Sequence, residues 1–462
     1  MLAFGGARGL RREEEEGQVR TMFRWTRMRP ALALLALAVC LLVLAACGGS
    51  DNGSTATGGG TTAAPAKPAV AASKCGLGNG QKASGTPIKL GGIATKQPGT
   101  DFTDIPNAAK AYFDCVNDNG GINGHPVQYS LETEQTDPGQ AAAAAKKLVE
   151  TEKVVGIVGN TSIIECTVNH KYYEAKGYYV IGSGIAPECY GTSNFAPVNM
   201  GPRYSVDGAA QYLIRQKVKK IALDQSNVPG TGYVAAGAQA ISKDAGVDFV
   251  NLKDNVPIQD ANSVALKAVQ AAGPNGGVLL NFTPPEALKI LQAAQRQGLQ
   301  DRVKWACSTP CNTDFLAEAL GSAWDGKLGV NAELNLTTAD GPDSELYRQV
   351  MKKYAPKVPL GSFSQMGFVE AAIATKALLG IKGDITAEKA NQAFKDVKGF
   401  KTDILCKPWY YGDGPTHVPN NTDRTTTPQG GKMVEKEGCF PISDVDPGIK
   451  QVRQWEQQNG VS

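Results

Sequence analysis

The chain has 462 residues, 47 Lys and Arg against 44 Asp and Glu, a formal net charge of +3 and 42% apolar residues. Seven of those arginines and four of the glutamates fall in the first 46 residues, so the rest carries equal numbers of bases and acids. Nothing in that balance suggests a nucleic-acid partner, and the neutral remainder is long enough for two α/β lobes.

Arg24, Arg27 and Arg29 precede an apolar run from Ala31 to Ala46 that ends in small residues. A positive start, a short apolar stretch and small residues at its close describe a secretory signal over 1–46. The run is short for a membrane span, and Gly, Ser and Thr follow it instead of a stop-transfer pattern. Leu44-Ala45-Ala46-Cys47 resembles the bacterial lipobox, which implies lipidation at Cys47, export, and anchoring by lipid to the outer face of the cell membrane. Glu13 to Glu16 fit no signal, so Met22 and Met28 are both candidate starts. Gly48 to about Lys74 is nearly all Gly, Ser, Thr, Ala and Pro, which cannot bury enough apolar surface to fold. Residues 47–85 are thus expected to be the lipidated cysteine and a flexible tether.

From residue 86 a strand–helix rhythm begins. Pro87 to Ala94 reads as a strand, followed by a polar, Gly/Pro-broken loop from Thr95 to Asp104. Ala108, Ala109, Tyr112, Phe113 and Val116 recur at helical spacing within 105–119, and Asn119-Gly120-Gly121 stops that helix. A strand through Leu131 and a helix opened by Asp137-Pro138 lead to Val154 to Val158, an apolar run suited to a strand buried on both faces. Asn160-Thr161-Ser162 then opens a helix that Gly177 ends, and Tyr178 to Ile181 forms a strand closed by Gly182-Ser183-Gly184. Two parallel strands therefore finish side by side in loops of hydroxyl residues and glycines, where open α/β sheets hold small ligands.

A helix ending N-x-x-G-G-I-N-G-x-P-V, then D-P-x-x-A-x-x-x-A-x-x-L-V, V-x-G-I-V-G with Thr161 and Ser162, and I-G-S-G-I-A-P-E near Ser183 resemble the leucine–isoleucine–valine-binding branch of the type 1 periplasmic-binding proteins. The resemblance spans about Ile88 to Tyr411. It implies an α/β fold of two Rossmann-like lobes with parallel central sheets, joined by a three-crossover hinge, that closes on a small-molecule solute and delivers it to an ABC transporter permease. By that pattern the first lobe holds 86–204 and 304–404, and the second 205–303 and 405–462. The second lobe continues the rhythm through strands at 220–223, 247–252 and 277–282. Trp305 is expected to open the return to the first lobe, with a strand from Leu328 to Leu334 and a long helix from Phe363 to Leu379.

The same resemblance places the ligand against Ser162, Ile163, Ser183, Gly184 and Ile185 of the first lobe. In the second lobe it implies Asn227, Tyr233, Gln259 and Asp260, with Thr283 and Glu333 as weaker candidates. Family members present hydroxyls to a carboxylate and an acid to an ammonium; here Ile163, Ile185 and Ile258 or Gln259 fall at those places. Two registers are open. Shifted by one residue, Ser162 and Asp260 restore the amino-acid pattern, while unshifted the pocket is more apolar and less suited to a zwitterion. Read singly, Ser162 and Asp260 also suit helix caps, Ser183 a turn, and Tyr233 packing.

Ten cysteines include Cys40 in the signal and Cys47. An even set of eight in an exported chain implies disulfides, and chain order favours Cys75 with Cys115, Cys166 with Cys189, Cys307 with Cys311, and Cys406 with Cys439. His125, His170 and His417 are too dispersed to join Cys307 and Cys311 around zinc, so no metal and no cofactor are expected. The chain has no Walker A loop, no G-x-G-x-x-G after a strand and no H-E-x-x-H, and Gly182-Ser183-Gly184 lacks nucleophile-elbow spacing. The expectation is a monomeric binding protein, not an enzyme, with two alternatives: a sensing domain acting with a separate signalling partner, and a hydrolase.

Overall fold

The computed structural model describes residues 74–412, 414 and 416–461, all within one unit of the chain, Pro68–Ser462. The signal, Cys47 and most of the tether lie outside them. The first sheet and its helices come in the order β1 (Ile88–Gln97), β2 (Thr100–Asp101), α1 (Asp104–Asn117), β3 (Val127–Glu134), α2 (Pro138–Lys146), β4 (Gly156–Asn160), α3 (Glu165–Lys176), β5 (Val180–Gly182), α4 (Glu188–Gly191) and β6 (Phe195–Pro197). A π-helical turn, Lys147–Glu152, extends α2. Strands β3, β1, β4, β5 and β6 run parallel in that order, and β2 folds back on β1.

The second sheet is fed by α5 (Gly201–Arg215), β7 (Lys220–Ser226), α6 (Ala235–Asp244), β8 (Asp248–Asp254), α7 (Ala261–Ala272), β9 (Gly277–Asn281), α8 (Pro284–Arg296), β10 (Lys304–Cys307), α9 (Asp314–Leu320) and β11 (Leu328–Ala332). Helices α10 (Pro342–Tyr354), α11 (Ser362–Leu379) and α12 (Ala387–Lys395) return to the first lobe. The hairpin β12 (Thr422–Gln429) and β13 (Lys432–Pro441) then adds two antiparallel strands to the second sheet, and α13 (Pro447–Asn459) ends the fold. The second sheet reads β13-β12-β11-β10-β9-β7-β8.

The chain passes between lobes three times: before α5, between β11 and α10, and before β12. The boundaries differ from those expected at three places. Residues 304–332 stay in the second lobe, because β10 continues the βα rhythm between β9 and β11, with Trp305, Ala306 and Cys307 buried. Residues 405–411 stay in the first, where Leu405, Trp409 and Tyr411 join its core and the Trp409 indole donates to the Pro197 carbonyl at 2.9 Å. Residues 74–85 belong to the folded lobe and not to the tether: Cys75 is buried and bonded to Cys115 of α1, and Ala83 N–H reaches the Asn117 carbonyl at 2.8 Å.

Helices α1 and α11 cover one face of the first sheet, with Tyr112 edge-on to Phe368 at 4.9 Å between centroids. Their close crossing depends on Gly367, where a Cβ would stand 1.8 Å from the Ile105 carbonyl oxygen. Burial of the large apolar side chains here contributes roughly 1.5–3 kcal/mol each. The disulfides Cys75–Cys115, Cys166–Cys189, Cys307–Cys311 and Cys406–Cys439 are all present.

Candidate functional site

Between the lobes lies a cleft of about 830 Å³, its open mouth included. It sits where the carboxyl ends of both parallel sheets face each other, so each strand delivers its following loop to the wall. From the first lobe come Phe102 after β2, Thr161 and Ile163 after β4, and Ser183, Gly184 and Ile185 after β5. The second contributes Ser226 and Val228 after β7, Phe282 and Thr283 after β9, Thr309 after β10 and Glu333 after β11. Helix α11 adds Phe363 and Met366, and Phe363 stands edge-on to Phe102 at 5.6 Å.

The first-lobe loops use their polar groups internally. Ser162 Oγ donates to Glu134 Oε1 at 2.8 Å and accepts from the N–H groups of Ile164 and Glu165, capping the start of α3. The Ile163 N–H goes to Thr95 Oγ1 at 2.9 Å, and the Gly184 N–H to Asn199 Oδ1 at 2.7 Å. Ser183 Oγ donates to Glu370 of α11. Burial holds the Glu370 carboxyl up at about 8, although the Ser183 hydroxyl partly opposes this. The two disulfides nearest the cleft frame its loops: Cys166–Cys189 ties α3 to α4 behind the first-lobe pair, and Cys307–Cys311 spans Ser308 to Pro310.

Of the sequence candidates, Ile163, Ser183, Gly184 and Ile185 line the cleft together, as do Thr283 and Glu333. Ser162 lies behind the wall as a cap. Asn227 stands between two lining residues, but its amide goes to Asn255 Oδ1 at 2.9 Å. The Tyr233 hydroxyl crosses to the first lobe and donates to the Ile185 carbonyl, while its ring borders a separate hollow beside Arg203 and Tyr204. Gln259 is exposed, with its amide on the Pro257 carbonyl at 3.0 Å. Asp260 caps α7 through the N–H groups of Asn262 and Ser263. Val256, a few residues earlier, is the lining residue of that loop. Phe102, Thr161, Ser205, Thr309, Phe363 and Met366 are lining residues that sequence reading passed over. Thr161 and Thr309 follow strand ends and were open to that signal.

No Lys, Arg or His is among the lining residues, and Glu333 is their one ionisable side chain. It is 1% exposed, accepts from the Met200 N–H, and is pushed up to about 8 by burial. Among the described residues no cluster of His, Cys, Asp and Glu could hold a metal ion. No described helix is long and apolar enough to cross a membrane. The lobes also touch through Thr283 Oγ1 and the Gly99 carbonyl at 3.3 Å. What this arrangement can do is enclose a small, largely apolar molecule between two lobes.

Residues 87–431 match the family model described as periplasmic binding protein. A leucine/isoleucine/valine-binding protein homologue of Brucella abortus is 24% identical over 309 residues, covering 62% of this chain and 75% of its own. Among solved structures, a branched-chain amino acid ABC transporter protein from Thermus thermophilus with bound valine superposes with a TM-score of 0.69 at 18% identity, covering 81% of this chain and all of its own. The fatty acid ABC transporter substrate-binding protein from Thermomonospora curvata gives 0.67 at 19% identity, covering 80% and 96%.

Proposed function

Since the chain belongs to the periplasmic binding protein family, we propose that it is the exported, solute-capturing component of an ABC importer. It takes an apolar small molecule between its lobes and hands it to a permease. The observation that carries the reading is the cleft at the facing strand ends, walled by Ile163, Ile185, Phe102, Phe282, Phe363 and Met366. Relatives that bind valine and fatty acid share an apolar body as the common feature of their solutes. The unshifted register, with Ile163 and Ile185 at the wall, supports a branched or longer apolar body over a recognition site built for a zwitterion. Closure proceeds by rotation about the three crossovers, and the Tyr233 hydroxyl and Thr283 supply lobe-to-lobe contacts in the closed form. Lipid at Cys47 keeps the monomer near its permease and raises its effective concentration there.

A thermal-shift panel of valine, leucine, isoleucine, octanoate and benzoate tests this. A solute at a hundred times its dissociation constant stabilises the fold by about 2.7 kcal/mol. Phe363→Ala, which removes one aromatic wall, is expected to weaken binding by about tenfold or more while the protein stays folded. Equal affinity in the variant would remove the cleft from the account.

A further inference from the structure

We propose that Glu333 reads the polar end of the solute as a hydrogen-bond donor, so that the cleft selects an apolar molecule ending in an acceptor group, a carboxylic acid or its amide, and discriminates against an ammonium. This rests on the solute-binding reading above and adds the chemical class of the head group.

The argument begins with what surrounds Glu333. It follows β11 and lines the cleft as its one ionisable side chain, with no cationic side chain in the wall. Its titratable neighbours are Tyr190 of α4 and Asp423 of β12, a fully buried carboxyl that burial also pushes well up. No cationic side chain lines the cleft beside Glu333; the Met200 N–H and the Thr309 side chain favour its charged form, but burial outweighs them, and a carboxylate without a counter-charge in so dry a site takes up a proton. The Met200 N–H donates to Oε2, so the acid proton belongs on the other oxygen. Thr309, beside it, already accepts from Ser205 Oγ and from Asn331 Nδ2, each at 2.9 Å. Thr309 Oγ1 therefore has little acceptor capacity left, and its own proton is directed at the Glu333 carboxyl.

The opposite wall agrees. Thr161 lines the cleft, is buried, and its hydroxyl has no hydrogen-bond partner. A buried hydroxyl without a partner costs free energy until a ligand atom meets it. With the Ile163 and Gly184 N–H groups committed to Thr95 and Asn199, those two first-lobe amides are not free to receive a carboxylate. An acceptor end can take a proton from Glu333. An ammonium would require Glu333 to ionise and a buried ion pair to form with no further charge to support it.

The test uses the purified full chain and calorimetric titration of 4-methylpentanoate, 4-methylpentanamide, 3-methylbutylamine and leucine, with benzoate, benzamide and benzylamine as a second series. The acid, alone or with its amide, is expected to bind at least tenfold tighter than the matching amine. Its affinity is expected to fall about tenfold per pH unit above pH 8, where Glu333 loses its proton. Glu333→Gln keeps a neutral donor and an acceptor for Met200 and cannot ionise, so it is expected to retain binding of the acid and to lose the fall in affinity above pH 8. Tighter binding of the amines, affinity that rises with pH, or loss of binding in Glu333→Gln with an unchanged melting temperature would overturn the inference and leave solute capture standing. A panel in which nothing binds would overturn the solute-capture reading, and this inference with it.

Discussion

The two walls of the cleft are made from the same material, loops at the carboxyl ends of parallel strands, but they dispose of their polar groups in different ways. In the first lobe Ser162 turns to Glu134, Ser183 to Glu370, and the Ile163 and Gly184 amides to Thr95 and Asn199. What that wall shows the solute is Ile163, Ile185 and the Phe102–Phe363 pair. The second wall includes the buried Glu333 and Thr309 together with Val228 and Phe282. Shape is set by one lobe, and most of the polar discrimination by the other. Sequence alone points the opposite way, because the hydroxyl-rich loops are those of the first lobe.

The comparison can be strained hardest by cutting the tie behind the first wall. Replacing Cys166 and Cys189 together by Ser is expected to cost about 2–5 kcal/mol of stability and to weaken solute binding as well, since both first-wall loops lead into the helices that this bond joins. Replacing Cys406 and Cys439, which tie the segment before β12 to β13, should lower the melting temperature and leave affinity unchanged. Equal loss of affinity from both pairs would show that the first wall has no special dependence on its bond.

Next in size is the effect of pH on the empty protein. Glu333 and Glu370 have folded values near 8 against an ordinary value of 4.5, so the folded state holds more protons than the unfolded chain between those limits. Their contribution is fully present below about pH 4.5 and is lost as pH rises through 8. The melting temperature should therefore change less between pH 5 and pH 8 in the Glu333→Gln, Glu370→Gln double variant than in the parent. An unchanged difference would mean that other groups govern that interval.

The smallest effects separate caps from ligand contacts. Ser162→Ala should cost roughly 1–2 kcal/mol, and Asp260→Ala about 1 kcal/mol, because each removes a helix cap. Neither should move the solute dissociation constant by more than about twofold. A tenfold change in either would restore the shifted register and, with it, an amino-acid head group.

Much of the first lobe was legible because its signals are local. The apolar run at 154–158, the Ser162 hydroxyl that receives the Glu165 N–H, the cap at Asp137 and the glycine stop at 177 each act within a few residues. The lobe boundary at 304 was misplaced because a four-residue strand such as β10 carries no mark of the sheet it joins; pairing with β9 and β11 decides that. Thr309 was obscured by the same error, whereas Glu333 is among the weaker second-lobe candidates that the family pattern implies, and it does line the cleft. Phe102 and Phe363 lie in a loop and at the start of a helix some 260 residues apart, and only the tertiary fold of the first lobe brings them together. Tyr233 was placed near the correct gap, but its hydroxyl bridges the lobes and does not line the cleft.

The most direct measurement is a crystal structure of the protein with the tightest-binding member of the panel. The account predicts density enclosed by both lobes, its apolar body between Phe102, Phe363 and Ile163 and its polar end at Glu333. Density elsewhere, in the hollow beside Arg203 and Tyr233 or on the outer face of either lobe, with the cleft empty, would contradict it.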